Sequence, residues 1–258
     1  MIVIFESFTN AGPQQQNPNK TYIYHPKYPN NNIIKKIEQT NIKIGTELGK
    51  GKFGSVFKGE YTNNDNTYDV AIKIPSDKET NNDIEYEVYL QMLCCNSDNE
   101  GSKFITTCFG YSINNLINNI ILEYTEIGDL GNYLKNQIYK LEEIQYKKYM
   151  YNFLRNIVDG MICISGLMIV HLDLAPRNVL LFNTGSNLKA KITDFGLSKI
   201  MNRWDQKQNS LCYKITNENI DNSIVGHEFL ETNKIKIASE RSDVFSFGLL
   251  VINCLIIP

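Results

Sequence analysis

Metal-ligand spacing is missing from this sequence. Six cysteines and three histidines occur in 258 residues. Cys94 and Cys95 are adjacent, while Cys108, Cys163, Cys212 and Cys254 stand apart, and His25, His171 and His227 do not complete a zinc pattern. The cysteines therefore read as buried, reduced thiols. An excess of one charge sign is missing too: 26 basic and 28 acidic residues are interspersed, with a net charge of −2. This excludes a basic stripe for nucleic acid and a polybasic membrane segment. No basic-then-apolar leader opens the chain. The C-terminal apolar run Val244–Ile257 is shorter than the ~20 residues of a membrane span and contains Ser246 and Asn253, so it reads as a buried helix. With 42% apolar and 21% charged residues, the expectation is an ordinary globular protein of the cytoplasm.

Residues 1–35 form an Asn/Gln/Pro-rich arm, with Gln14-Gln15-Gln16 and Pro29-Asn30-Asn31-Asn32. Such a stretch lacks the apolar density to offset ordering entropy and reads as mobile. From Ile42 the pattern becomes short strands. Ile42, Ile44 and Leu48 lead into a Gly-rich turn, and Ser55–Thr62 is a second strand. Asn63–Asn66 is a turn, and Thr67–Ile74 a third strand with Tyr68, Val70, Ile72 and Ile74 on one face. A helix over Asn82–Cys95 and strands near Ile105–Tyr111 and Asn119–Tyr124 complete a strand-rich half. After Gly128 the chain turns helical, and Ile144–Ser165 is a long amphipathic helix with Tyr149, Phe153, Ile157 and Met161 at helical spacing.

The turn Leu48-Gly49-Lys50-Gly51-Lys52-Phe53-Gly54-Ser55-Val56 contains G-x-G-x-x-G. Glycines allow backbone N–H groups to approach phosphate oxygens closely. The same spacing fits a dinucleotide fingerprint, and Asp69 sits near the ribose-binding distance, but that fingerprint must open a helix. Ser55–Thr62 is β-like, which favours a flap over a nucleotide or a plain hairpin without ligand.

Val70-Ala71-Ile72-Lys73 puts Ala71 and Lys73 on one strand face. A small residue beside a lysine leaves room for a base and offers phosphate a cation. An ammonium under apolar walls needs a counter-charge. Glu85 is favoured, because Val88, Tyr89 and Met92 follow it at helical spacing, whereas the rival Glu87 is followed by Gln91 and Cys94.

Further on, Ile169-Val170-His171-Leu172-Asp173-Leu174-Ala175-Pro176-Arg177-Asn178-Val179-Leu180-Leu181 brackets a polar loop with apolar ends. Ile192-Thr193-Asp194-Phe195-Gly196 then sets a second Asp at a strand end, before a Gly hinge. Phosphoryl transfer needs such groups: an Asp for the incoming hydroxyl, and hard oxygens to hold magnesium against phosphates.

Taken together and in this order, these motifs resemble the eukaryotic protein kinase family over about Asn41–Ile257, and Ser242-Asp243-Val244-Phe245-Ser246-Phe247-Gly248 resembles its buried central helix. The resemblance implies an α+β, bilobal fold. Residues 36–124 would be a lobe with a five-stranded antiparallel sheet and one helix, 125–128 the hinge, and 129–258 a mainly helical lobe. It implies ATP and Mg2+ as cofactors and a protein hydroxyl as acceptor. Asp173 would be the catalytic base, with Lys73 on the α- and β-phosphates, paired to Glu85. Asn178 and Asp194 would hold magnesium. Gly49, Lys50, Gly51, Lys52, Phe53 and Gly54 would cover the phosphates, while Leu48, Val56, Ala71 and Leu180 sandwich adenine. Leu122 would be the gatekeeper, and the backbone of Glu123 and Thr125 the adenine partners. His171, Phe195, Cys108 and Tyr89 would stack as a regulatory spine anchored by Asp243.

The acceptor and the departures follow from the same resemblance. Ala175 stands where serine/threonine kinases of the family usually carry Lys, and Asp173-Leu174-Ala175-Pro176-Arg177-Asn178 resembles the tyrosine-kinase loop, with Arg177 as the cation near the γ-phosphate. Asp194-Phe195-Gly196-Leu197-Ser198-Lys199 is also tyrosine-kinase-like. Tyrosine is thus the expected acceptor. The alternatives are serine/threonine transfer or an impaired ATP-binding scaffold. Leu172 replaces the Arg that grips an activation-segment phosphate, which implies activity independent of phosphorylation there, with Tyr213 an incidental residue. Phe229-Leu230-Glu231 replaces Ala-Pro-Glu, and His227 falls at a Trp position. The helical lobe is expected to be incomplete beyond Ile257, leaving apolar faces of Val244–Ile257 exposed and Glu231 without its arginine.

Overall fold

The computed structural model describes residues 33–51, 54–76, 79–114, 117–137, 142–185, 187–201, 203–205, 210–215 and 236–256. Lys52, Phe53, His227 and Phe229-Leu230-Glu231 lie outside them, as does the side chain of Tyr213.

Strand β1 (Lys36–Ile37) is followed by β2 (Ile42–Gly51), β3 (Gly54–Asn63) and β4 (Asn66–Pro75). Helix α1 (Asn81–Cys95), β5 (Cys108–Asn114) and β6 (Ile117–Glu123) come next. The sheet order is β1-β5-β6-β4-β3-β2. Its five long strands are antiparallel, as the sequence implies. A sixth strand, β1, adds parallel to β5 from just beyond the stretch read as a mobile arm. Polar Lys35 and Lys36 mask it in the sequence. Its hold is largely backbone: Tyr111 N donates to Lys35 O at 3.0 Å, and Ile37 buries its side chain.

The β3–β4 connection is a tight turn in which Asn64 and Asp65 take φ of 45° and 66°. Both residue types tolerate the left-handed region that suits a two-residue hairpin. Period-2 alternation splits β4 between two apolar layers. Val70 and Ile72 join Ile37, Ile42, Tyr61 and Ile121 on the outer face. Ala71 faces the inner layer of Ile84, Val88, Met92, Cys108, Ile120 and Leu122, to which α1 contributes. Helix α1 opens on a capping box: Thr80 Oγ1 accepts from Asp83 N, and the Asp83 carboxylate accepts from Thr80 N.

The second half contains α2 (Leu130–Gln137), α3 (Glu143–Gly166), β7 (Ile169–Val170), β8 (Val179–Asn183), β9 (Leu188–Ile192) and β10 (Lys199–Ile200). It continues with β11 (Arg203–Asp205), β12 (Ser210–Ile215), β13 (Lys236–Ala238) and α4 (Glu240–Ile256). The α3 stripe Phe153, Ile157 and Met161 is fully buried, and Tyr149 stacks on Phe153 with ring centroids 5.9 Å apart. The core formed by α3 also takes in Phe195, Phe247 and Leu250. Helix α4 buries Phe247, Leu250 and Cys254 and exposes Phe245, Leu249 and Ile252. Among the described residues no helix is long and apolar enough to cross a membrane. Cys94, Cys95, Cys108, Cys163 and Cys254 are free thiols.

Candidate active site

The Gly-rich segment falls on two antiparallel strands, with Gly51 opposite Gly54. No helix follows Gly54, so the dinucleotide-fingerprint reading falls. Gly54 has φ of 128°, and a Cβ there would lie 2.1 Å from Ile74 O. Only glycine fits this position. Directly opposed residues of an antiparallel pair share a face. Val56 lies opposite Lys73, and Ala71 opposite Leu122. Val56, Ala71, Lys73 and Leu122 thus lie on one face of the sheet. Leu48 falls in the irregular part of the β2–β3 ladder, and Gly49 pairs with Val56. Leu180 is bridged to Asp129, and Leu181 N donates to Gly128 O at 3.0 Å. These contacts carry β8 to the segment after β6.

Lys73 Nζ donates to both oxygens of Glu87, at 2.7 and 2.9 Å, and to Asp194 Oδ1 at 3.0 Å. The glutamate partner is therefore Glu87 and not Glu85. Glu85 lies half-buried on α1 and accepts from the Tyr111 hydroxyl. The apolar-spacing argument failed because α1 is buried on nearly every side, at Ile84, Glu87, Val88, Tyr89, Leu90, Gln91, Met92 and Cys94. An apolar stripe cannot select a face on such a helix. Gln91, which counted against Glu87, is fully buried because its amide donates to Thr106 O at 3.0 Å.

Burial lowers the Lys73 ammonium, but the Glu87 and Asp194 carboxylates outweigh it and hold its pKa above the ordinary range. Burial pushes Glu87 up to about 7 against the pull of Lys73. Asp194 is raised by burial but lowered more by Lys73, His171 and the Gly196 N–H, and ends below the ordinary carboxylate range. A Cβ on Gly196 would come within 3.2 Å of Glu87 Oε2 and 3.4 Å of Asp194 Oδ1. Glycine there allows the charges to converge.

Glu87 pairs with Lys73 only when ionised, and its folded pKa is raised, so the pair is complete above about 7 and is lost as pH falls through that value. The rate of any reaction needing Lys73 in place should then fall about tenfold per pH unit below 7. Glu87→Gln should flatten this limb and lower the rate at pH 8 by about 30-fold, the worth of one charge-assisted bond. Glu85→Gln should leave both nearly unchanged. A limb that persists in Glu87→Gln would assign it to another group.

The loop after β7 is held from beneath. His171 N and Leu172 N donate to the two oxygens of Asp243 on α4, at 2.7 and 2.9 Å. Leu172 is buried with φ of 67°, a strained value for a branched residue. Asp173 N donates to His171 Nδ1 at 3.3 Å, which leaves the ring proton on Nε2 to donate to Thr193 O at 3.2 Å. The His171 ring meets Phe195 edge-on at 5.1 Å. Cys108 and Tyr89, read as the rest of that stack, fall in two different apolar clusters, and one turn beyond Glu87 stands Gln91.

Asp173 is buried, and its carboxylate accepts from Asn178 Nδ2 at 2.8 Å and from Arg177. Asn178 Nδ2 also reaches Asp173 O at 2.8 Å. With its N–H groups spent on Asp173, Asn178 has its amide oxygen left to offer. That oxygen and the Asp194 carboxylate are hard donors of the kind magnesium takes.

Some contacts had no signal in the sequence. Glu123 accepts from Lys191 Nζ at 2.6 and 2.8 Å and from Thr107 N and Oγ1 at 3.1 and 2.9 Å. Thr125 Oγ1 donates to Leu181 O. The Glu123 side chain is thus committed to Lys191 and Thr107. These partners lie far apart along the chain, and no local spacing marks them.

The family model for protein tyrosine and serine/threonine kinases matches residues 42–256. The chain belongs to the protein kinase family. A relative named "Probable serine/threonine-protein kinase kinX" from Dictyostelium discoideum is 32% identical over 84% of this chain and 18% of its own length. Cysteine-rich receptor-like protein kinase 7 of Arabidopsis thaliana is 27% identical over 80% of this chain and 29% of its own length. Ephrin type-A receptor 3 of Danio rerio is 27% identical over 90% of this chain and 22% of its own length. The kinase chain therefore spans less than a third of each of these relatives. The family generally uses ATP and Mg2+, and the donors assembled at Lys73, Asn178 and Asp194 suit them. The family description covers both acceptor types and leaves that choice open.

Proposed function

We propose that this kinase chain transfers the γ-phosphate of ATP to a protein hydroxyl, with tyrosine as the acceptor. The observation that carries the reading is the convergence of Lys73, Glu87 and Asp194 into one ion cluster. Asp173, Arg177 and Asn178 supply the complementary group on the neighbouring loop. ATP with Mg2+ supplies the activated phosphoryl group and the metal's charge. Lys73 holds phosphate oxygens and is itself kept charged and in place by Glu87. Asn178 and Asp194 offer the metal ligands. Asp173 orients the incoming hydroxyl and accepts its proton, with its free rotation removed by Asn178. Arg177 places a cation beside Asp173, where charge on the transferred group is stabilised. Ala175 in place of a lysine, together with that arginine, is what favours a phenol. Leu172 is buried and apolar, so no cation stands there to hold a phosphate, and activity is independent of activation-segment phosphorylation.

The test is incubation with labelled ATP, magnesium and peptides carrying only Tyr or only Ser and Thr. Phosphotyrosine should dominate by at least about tenfold, the difference that one well-placed contact makes. Transfer to Ser or Thr would overturn the acceptor and keep the kinase reading. ATP binding without transfer would favour a nucleotide-binding scaffold.

A further inference from the structure

Strand β10 begins three residues after Gly196 and is only two residues long. It pairs antiparallel with β7, with Ile200 opposite Ile169, and Met201 N donates to Met168 O at 2.7 Å. Backbone N–H groups alternate in direction along a strand. The Ile200 N–H accordingly points away from β7, and it donates to the Tyr86 hydroxyl on α1 at 3.3 Å. The preceding residue makes a second contact with the same side chain: Lys199 Nζ lies 5.1 Å from the Tyr86 ring centroid. Lys199 is also drawn by Asp83, another α1 residue, although burial lowers its pKa overall. Tyr86 immediately precedes Glu87. One turn of α1 therefore grips β10 with one side chain and Lys73 with the next.

We propose that Tyr86 is a positioning residue for phosphoryl transfer, acting as a clasp that ties β10 to α1 and thereby keeps Glu87 seated on Lys73. A helix held only by apolar packing can slide or roll by an ångström at small cost. The Ile200 N–H fixes Tyr86 to a backbone point that is itself held by β7, next to the loop carrying Asp173. The clasp uses a hydroxyl, a ring and an ammonium that the chain already contains, so it needs no added phosphate. Its kinetic consequence rests on the phosphotransfer reading, while its structural consequence does not.

The experiment uses the full chain with Tyr86→Phe, Lys199→Met and Glu87→Gln. Backbone amide exchange is followed in residues 81–95 and 195–201, alongside transfer kinetics. Tyr86→Phe keeps the ring and removes the hydroxyl that accepts from Ile200 N. It should speed exchange at Ile200 and also across 81–95, by about fivefold, and lower kcat by a similar factor with the peptide KM unchanged. Lys199→Met should act in the same direction. Added to Glu87→Gln, Tyr86→Phe should cause no further loss of kcat, since the clasp acts through Glu87. Faster exchange confined to 199–201, with 81–95 unaltered, would overturn the proposal. So would an unchanged kcat, or equal kcat losses in the presence and absence of Glu87. If the parent transfers phosphate to no peptide, the phosphotransfer reading fails, and the exchange pattern alone still decides for or against the clasp.

Discussion

Asp173→Asn should reduce phosphoryl transfer by about a thousandfold while ATP binding stays within a few-fold of the parent. The replaced group is the only carboxylate on the loop between β7 and β8. A positioned general base is worth about 10² to 10⁴ in rate. The amide retains the size of the carboxylate and one acceptor oxygen, so the loop should keep its shape. Arg177 loses its ionic partner, but its side chain is exposed and can hydrate. The nucleotide contacts proposed above lie elsewhere, on Lys73 and the β2–β3 hairpin, so binding should survive. Isothermal titration with ATP and magnesium, beside a single-turnover transfer assay, separates the two effects. A variant that transfers phosphate within about tenfold of the parent would remove Asp173 from the role of base. A variant that loses ATP binding as well would make its role structural.

Asp243→Ala should destabilise the protein by about 3–5 kcal/mol. Asp243 is buried in α4 and accepts from two backbone N–H groups of the loop after β7. Removing it strands both donors away from water, at about 1–3 kcal/mol each. Relief of the strained left-handed conformation of Leu172 should offset a part of this cost. For a domain of this size the melting temperature should fall by about 10 °C. Asp243→Asn keeps one acceptor and turns an amide N–H₂ towards the other donor, so it should lose about half as much. Activity should collapse in both, because the loop they hold carries Asp173 and Asn178. Burial raises the Asp243 carboxyl despite the two N–H groups and His171 that pull it down. A melting temperature unchanged in Asp243→Ala would show that the loop is held by its own contacts.

Local chemistry accounts for most of what the sequence determined by itself. The β2–β3 hairpin was legible because glycines at 49, 51 and 54 were followed by an alternating strand rather than a helical pattern. The Asn64-Asp65 turn and the apolar stripe of α3 were legible because turn chemistry and helical period act within a few residues. Lys73, Asp173, Asn178 and Asp194 were singled out because polar and charged residues bracketed by apolar segments recur there in an order that resembles the protein kinase family.

Tertiary structure decided the partners. Glu87 rather than Glu85 meets Lys73 because α1 is enclosed on almost all sides, and the rule that reads an apolar stripe as the buried face then carries no information. Gln91 is tolerated in that interior only because Thr106 O lies within reach, which nothing near Gln91 in the chain announces. The pairing of β1 with β5 rests largely on backbone hydrogen bonds, so its side chains gave no signal. Glu123 with Lys191 and Tyr86 with Ile200 join residues 68 and 114 positions apart. Periodicity reports which side of an element is buried. It does not report which charge or hydroxyl waits on the other side, because that depends on how the packed elements bring distant residues together.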